Sequence, residues 1–88
     1  MSEIFKNDSD YRIEVYRLAK YQYLGKNYQR YIKIYEQNYV NNVYKFSQWL
    51  NESQNLNNWT HLRVFARRNN SFINQYEKGF FIPAKPKN

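Results

Sequence analysis

The chain has 88 residues, of which 14 are Lys or Arg and 7 are Asp or Glu, so its formal net charge at pH 7 is +7. This length predicts one domain with one modest core. The excess of cations favours an anionic partner, which would be nucleic acid, an acidic protein surface or anionic lipid. The absence of cysteine excludes disulfides, thiolate metal sites and thiol nucleophiles. The sequence contains neither a long apolar run nor the apolar stretch of a secretory signal, so we expect a soluble, intracellular protein.

The first segment, residues 10–24, fits two structures. As a helix it ends at Gly25 and has an apolar seam formed by Tyr11, Val15, Leu18 and Ala19. As a strand it shows apolar residues at alternate positions, with only Arg17 breaking the pattern, and "GKN" turns a hairpin. We favour the helix, because the next segment is also predicted to be helical and a lone strand would have no obvious partner.

The second segment, residues 27–52, places most of its apolar side chains on one side of a helical wheel. Ile34 and Tyr44 do not fit this side. Part of the apolar side also follows a 4-3 spacing over three heptads, which leaves self-association as a homo-oligomer open. The apolar side consists of Tyr28, Tyr31, Ile32, Tyr35, Tyr39, Val43, Phe46, Trp49 and Leu50.

The third segment, residues 59–78, has the clearest helical pattern. Asn57 or Asn58 is suited to cap its start, and Gly79 to follow its end. Only Val64 lies off its apolar stripe, which consists of Trp59, Leu62, Phe65, Ala66, Phe72, Ile73 and Tyr76.

These patterns predict an all-α fold, a small three-helix bundle in a single domain over residues 10–79. Residues 1–9 are predicted to form an N-terminal extension and cap, and residues 80–88 a short extended tail. The alternative is an α+β fold with an N-terminal β-hairpin.

Catalytic chemistry is poorly represented in this sequence. His61 is the only histidine, and its place at the edge of the third apolar stripe favours a structural role. Gly25 and Gly79 are the only glycines, too few for a glycine-rich phosphate loop. Asp8 and Asp10 are better explained as helix caps than as metal ligands. We therefore predict a protein that is not an enzyme and has no cofactor or metal.

A polar stripe on the third predicted helix favours nucleic-acid binding. Arg forks onto phosphate or guanine, Asn pairs with adenine, and Lys neutralises charge. The alternative explanation is that these residues form only a solvent-exposed helix face, which is expected to be basic in any protein with this excess of cations. The predicted contacts are Arg63, Arg67, Asn70, Asn74 and Lys78, extended by Arg30 and Lys33 on the second helix. Further cations belong to the same rows, namely Lys26 on the second helix and Arg12, Arg17 and Lys20 on the first.

The alternative function is a small helical accessory subunit or inhibitor that binds a larger protein complex, such as a phage-encoded inhibitor of host machinery or a subunit of an organellar complex. Its interface candidates are the misfit apolar residues Tyr16, Tyr21, Ile34 and Tyr44, because aromatic residues are enriched at interface hot spots. The stretch "VYRLAK" resembles the LYR-motif accessory proteins of mitochondria at Tyr16 and Arg17, with Val15 where that motif has Leu. The resemblance implies helical docking onto a larger assembly.

Overall fold

The computed structural model describes residues 10–79, and the predicted extension at 1–9 and tail at 80–88 lie outside this range. The described residues form one antiparallel sheet in the order β2-β1-β3-β4, with one helix packed against it. The prediction of a three-helix bundle is therefore wrong, and the α+β alternative with an N-terminal hairpin is closer. The elements are β1 (Tyr11–Tyr23), β2 (Lys26–Val40), α1 (Val43–Asn51), β3 (His61–Ala66) and β4 (Phe72–Glu77).

The predicted helix at 10–24 and the first part of that at 27–52 are the two strands of a long hairpin. Tyr, Val and Ile favour strands. The two strands pair with each other, so the first segment has the strand partner that the helical interpretation lacked. The turn consists of Leu24 and Gly25, both with positive φ, at 52° and 79°. This is the backbone geometry of a two-residue type I′ turn. The "VYRLAK" stretch lies in β1, so the helical docking implied by its resemblance does not apply.

Only the end of the second predicted helix is helical. Asn42 caps α1, because its Oδ1 accepts a hydrogen bond from the Lys45 backbone N–H at 2.9 Å. Phe46 and Leu50, four residues apart, are buried against the sheet. The helical wheel over 27–52 therefore merged a strand with a helix.

The third predicted helix, 59–78, is the β3–β4 hairpin. In β3 the buried side chains alternate, and Val64, the one residue off the helical stripe, belongs to the core beside Leu62. The two strands are separated by the polar turn 67–71, in which Asn70 has a φ of 58°. Asn tolerates this left-handed conformation better than most residues, so the Asn-rich turn ends β3 where a helix would continue.

The hydrophobic core lies between α1 and one face of the sheet. Trp59, in the connection before β3, is buried there and its Nε1 donates to Asn51 Oδ1 at 2.9 Å, which ties the connection to the end of the helix. The fully buried members of the core are Ile13, Val15, Val40, Phe46, Leu50, Trp59, Leu62 and Val64.

The hairpin of β1 and β2 extends well beyond this core. β1 pairs with β2 along its length, but with β3 only over residues 11–16. Thr60 closes the shared region, since its backbone N–H donates to the Tyr16 carbonyl and its Oγ1 accepts from the Leu18 N–H, each at 2.8 Å. Residues 17–32 then continue as a two-stranded ribbon, called the arm below. At a rise of about 3.3 Å per residue the arm is roughly 20 Å long.

We expect Phe46→Ala to reduce the free energy of unfolding by about 3–5 kcal/mol, because the variant leaves a cavity between α1 and the sheet. The control is Phe72→Ala in β4, where the ring is 57% exposed. This variant should cost about 1 kcal/mol or less. Urea denaturation of both variants measures the difference, and equal losses would contradict the assignment of the core.

Candidate nucleic-acid interface

The positive charge of the described residues is concentrated on the arm. Its 16 residues contain four cations and no Asp or Glu, whereas the other described residues hold seven cations and five acids. The other described residues, 10–16 and 33–79, are called the body below. A surface of one sign that extends away from the body produces a strong local field and attracts anions to it. The arm cations are Arg17, Lys20, Lys26 and Arg30.

One face of the arm combines cations with tyrosines. It continues the side of the sheet on which α1 packs, because side chains alternate along each strand. Tyr21 and Tyr28 lie directly opposite each other on it, with ring centroids 5.6 Å apart and the rings stacked. From base to tip this face carries the cross-strand pairs Arg17 and Ile32, Ala19 and Arg30, Tyr21 and Tyr28, and Tyr23 and Lys26.

The other face of the arm is more polar. Near the tip the amide of Gln22 donates from Nε2 to Asn27 Oδ1 at 3.1 Å. Lys20 adds the fourth cation to this side, opposite Gln29. Both faces therefore present groups that hydrogen-bond to or neutralise an anionic ligand.

The arm cations are not used by the fold. Within residues 10–79, none of the four forms a salt bridge or a side-chain hydrogen bond. Their charges are therefore available to a partner, whereas most cations outside the arm contact groups of the chain, namely Arg12, Lys33, Arg63, Arg67 and Lys78.

The body neutralises its own charges on the face of the sheet opposite α1. Arg12 Nη1 contacts Glu14 Oε2 at 2.7 Å and Glu36 Oε2 at 3.3 Å. Lys33 Nζ contacts Glu36 Oε1 at 2.8 Å. Lys33, one of the predicted nucleic-acid contacts, thus sits just past the base of the arm and is paired with a carboxylate.

Arg63 is also held within the chain. Its guanidinium carbon lies 4.4 Å from the ring centroid of Tyr16 and 5.0 Å from that of Tyr31, and its Nε donates to Gln75 Oε1 at 2.8 Å. This arrangement combines cation–π contacts with a hydrogen bond and covers the face of the sheet below the arm.

The other residues of the predicted stripe do not lie together, because the helix that would have aligned them does not exist. Arg67 lies over the Tyr39 ring, and Asn70 Oδ1 accepts from Nε and Nη2 of Arg12. Both lie at the end of the sheet opposite the arm. Lys78 follows β4 at the other end, where Nζ donates to the Asn57 carbonyl.

Asn74 completes the set, exposed in β4 with its Oδ1 accepting from the Gln75 N–H. Of all the predicted nucleic-acid contacts, only Arg30 is on the arm. The individual roles proposed for these residues stay predictions.

The four predicted protein-interface residues are likewise dispersed. Tyr16 donates its hydroxyl to Glu14 Oε1 at 2.6 Å, and Tyr21 lies on the arm. Ile34 packs against the core beside the bulge in β2, and Tyr44 is exposed on α1. No single surface contains them all.

Sequence reasoning left Arg17, Lys20 and Lys26 out of the candidate site, although it placed them in cationic rows. The signal that identifies the site is the absence of any acid between Glu14 and Glu36, combined with a turn-forming Leu-Gly pair midway. A hairpin brings the two halves of that stretch side by side, whereas two helices would disperse their charges.

Glu14 belongs to the ion network on the face of the sheet opposite α1. Burial by itself raises the pKa of its carboxyl, but hydrogen bonds from Tyr16 and Arg12 and the positive charges of Lys33 and Arg12 outweigh burial and lower the pKa. The pKa of Tyr16 is raised, first by burial and then by its hydrogen bond to Glu14. The hydrogen bond from Lys33 likewise lowers the pKa of Glu36.

Other classes of site are not apparent in this part of the chain. Among residues 10–79, no three His, Asp or Glu side chains are grouped so as to hold a metal ion. The one helix that the structure describes is too short to cross a bilayer.

Comparisons of this chain with protein-family models, with curated proteins and with solved structures find no match. The function is therefore argued from the geometry and charge of the arm.

We expect Glu14→Gln to make the fold less stable at neutral pH and less sensitive to acid. A carboxyl whose pKa is lower in the folded chain stabilises the fold above its unfolded pKa of about 4.3, and this contribution is lost as the pH falls through the folded pKa. Urea denaturation between about pH 7 and pH 3 should show the difference between wild type and variant shrinking. A constant difference over this range would contradict the proposed network.

Proposed function

We propose that the chain binds double-stranded DNA through the arm, by contacts to the phosphate backbone. The observation that carries the proposal is the arm itself: four cations without internal partners and no acid, on a ribbon that extends beyond the core. Phosphate contacts of this kind supply most of the affinity of non-specific DNA binding.

The shape of the arm supports a duplex as the ligand. Paired strands lie about 4.8 Å apart, and a two-stranded ribbon with its side chains fits a groove about 12 Å wide such as the DNA major groove. The deep, narrow major groove of A-form RNA does not admit it, which favours DNA over double-stranded RNA.

The positions of the side chains suit a groove with phosphates on both sides. Arg17 and Arg30 lie diagonally across the helix-side face near the base, and Lys26 is near the tip. The stacked pair Tyr21 and Tyr28 lies between them and offers hydroxyls to phosphate or sugar. The contact is thus made by strands, which replaces the basic helix faces expected from the sequence.

The absence of catalysis and of a cofactor, and the intracellular location, stay predictions alongside this proposal. The role proposed for the body is to hold the arm in place. Its sheet and α1 anchor one end of the ribbon, so that the arm is held in the right conformation before DNA is bound and little ordering is needed on binding.

We expect the double variant Arg17→Ala/Arg30→Ala to bind a duplex about tenfold more weakly at low salt, with a plot of log affinity against log salt flatter by about two units. The physical reason is the loss of two phosphate contacts and of the counterions that they release. Fluorescence anisotropy of a labelled duplex across a salt series measures both quantities.

The matched control is Lys45→Ala/Arg68→Ala, which removes the same charge from exposed positions outside the arm. The control should keep the wild-type salt slope. Equal losses in the two double variants would show that net charge, and not the arm, determines binding, and no binding by wild type at low salt would contradict the proposal.

A second candidate function is the accessory subunit or inhibitor of a larger protein complex, and one observation favours it. Strand β4 pairs with β3 alone among the described strands, and Phe72 and Ile73 are exposed on it. An open edge with apolar side chains accepts a strand from another protein, or from a second copy of this chain as a homo-oligomer. Binding of this kind would depend weakly on salt and would be lost in Ile73→Lys. DNA binding through the arm would depend steeply on salt and would be retained in that variant.

A further inference from the structure

The tip of the arm combines an unusual residue with an unusual backbone. Leu24 is 82% exposed and has a φ of 52° at the first position of the turn. Asn or Asp is the usual choice there, because a leucine with positive φ brings its Cβ too close to the following carbonyl oxygen. The chain therefore places a strained apolar residue at the tip of the arm, beyond the part of β1 that pairs with β3.

The surroundings of Leu24 limit what it can enter. Tyr23 and Lys26 flank it on one face of the arm, and the hydrogen-bonded amides of Gln22 and Asn27 flank it on the other. A lipid bilayer would strip water from these amides, and one leucine contributes little apolar area in return. The edges of DNA bases, in contrast, provide hydrogen-bond partners for amides and a stacked apolar interior for the leucine.

We propose that Leu24 is a wedge that inserts between adjacent base pairs of the duplex, from the groove that the arm occupies, and kinks the DNA. This inference rests on the proposed function. Apolar side chains of this size unstack a base step and bend the duplex, and the cost is offset by contacts that the bend brings within reach. The cations behind the tip, Lys26 and Arg30, are placed to neutralise the phosphates that such a bend crowds together.

The experiment uses the full chain and a duplex of about 30 base pairs, with donor and acceptor dyes at its ends and a central mismatch at which unstacking is easy. A 2-aminopurine beside the mismatch reports unstacking by its fluorescence. Anisotropy of the same duplex reports binding, so bending and affinity are measured separately.

The variants are Leu24→Asn and Leu24→Met. Asn is favoured at a positive φ, so this change relaxes the turn while removing the apolar group, and a loss of bending cannot be ascribed to a damaged hairpin. Met keeps an apolar side chain of similar size at the same position.

At saturation, wild type and Leu24→Met should raise both the energy transfer and the 2-aminopurine signal. Leu24→Asn should reach saturation with both changes reduced at least fivefold, on the order expected when a wedge is lost and phosphate contacts remain. Full bending by Leu24→Asn, or saturation by wild type without either signal, would overturn the wedge and leave the proposed function standing.

Two other outcomes would overturn both proposals. One is that wild type fails to bind the duplex at low salt. The other is Leu24-dependent binding to vesicles of phosphatidylserine and phosphatidylcholine without any binding to the duplex, which would make the tip a membrane contact.

Discussion

The pairing of β1 determines the form of this protein. β1 has 13 residues and β3 has six, so β1 is shared between two neighbours at its start and has only β2 beside it afterwards. Thr60 fixes where the change occurs, because its backbone and hydroxyl provide the last hydrogen bonds between β1 and the connection before β3. Everything on one side of this point belongs to a sheet with a core, and everything on the other side belongs to the arm.

The distribution of charge follows the same division. On the sheet, carboxylates lie next to cations, and Arg63 stacks on tyrosines. On the arm, cations occur without acids, and such a ribbon repels itself unless an anion is bound. An isolated two-stranded ribbon is also only marginally stable in water. The body supplies the anchor that the arm needs, while the exposed groups of the arm stay free for a partner.

Several parts of this structure could be predicted from the sequence, and the reasons for the failures are specific. The alternation from Tyr11 to Tyr23 and the turn near Gly25 correctly indicated a hairpin, but this interpretation was rejected because the next segment, which contains β2, was assigned to a helix and the strand was left without a partner. The wheel over 27–52 was misleading because it runs through Asn42, which follows the end of β2 and caps α1. In β3, Val64 was interpreted as lying off the apolar stripe, although it alternates with Leu62 and both are buried.

The residues of the predicted stripe are separated in the structure because the predicted helix is absent. Spacing of three and four residues aligns side chains only on a helix, and on two strands joined by a turn it scatters Arg67, Asn70 and Lys78 to opposite ends of the sheet. The distribution of charged residues along the chain is the same whichever secondary structure the chain adopts. The acid-free stretch between Glu14 and Glu36 concentrates charge wherever its two halves are paired, and only the hairpin pairs them.

The most direct test of the claim that the arm is the binding surface is a nuclear magnetic resonance titration of the isotope-labelled chain with an unlabelled duplex. The account predicts amide shift changes concentrated in residues 17–32, with little change in α1 or in the turn 67–71. Changes centred on that turn or on α1, with the arm unaffected, would contradict it.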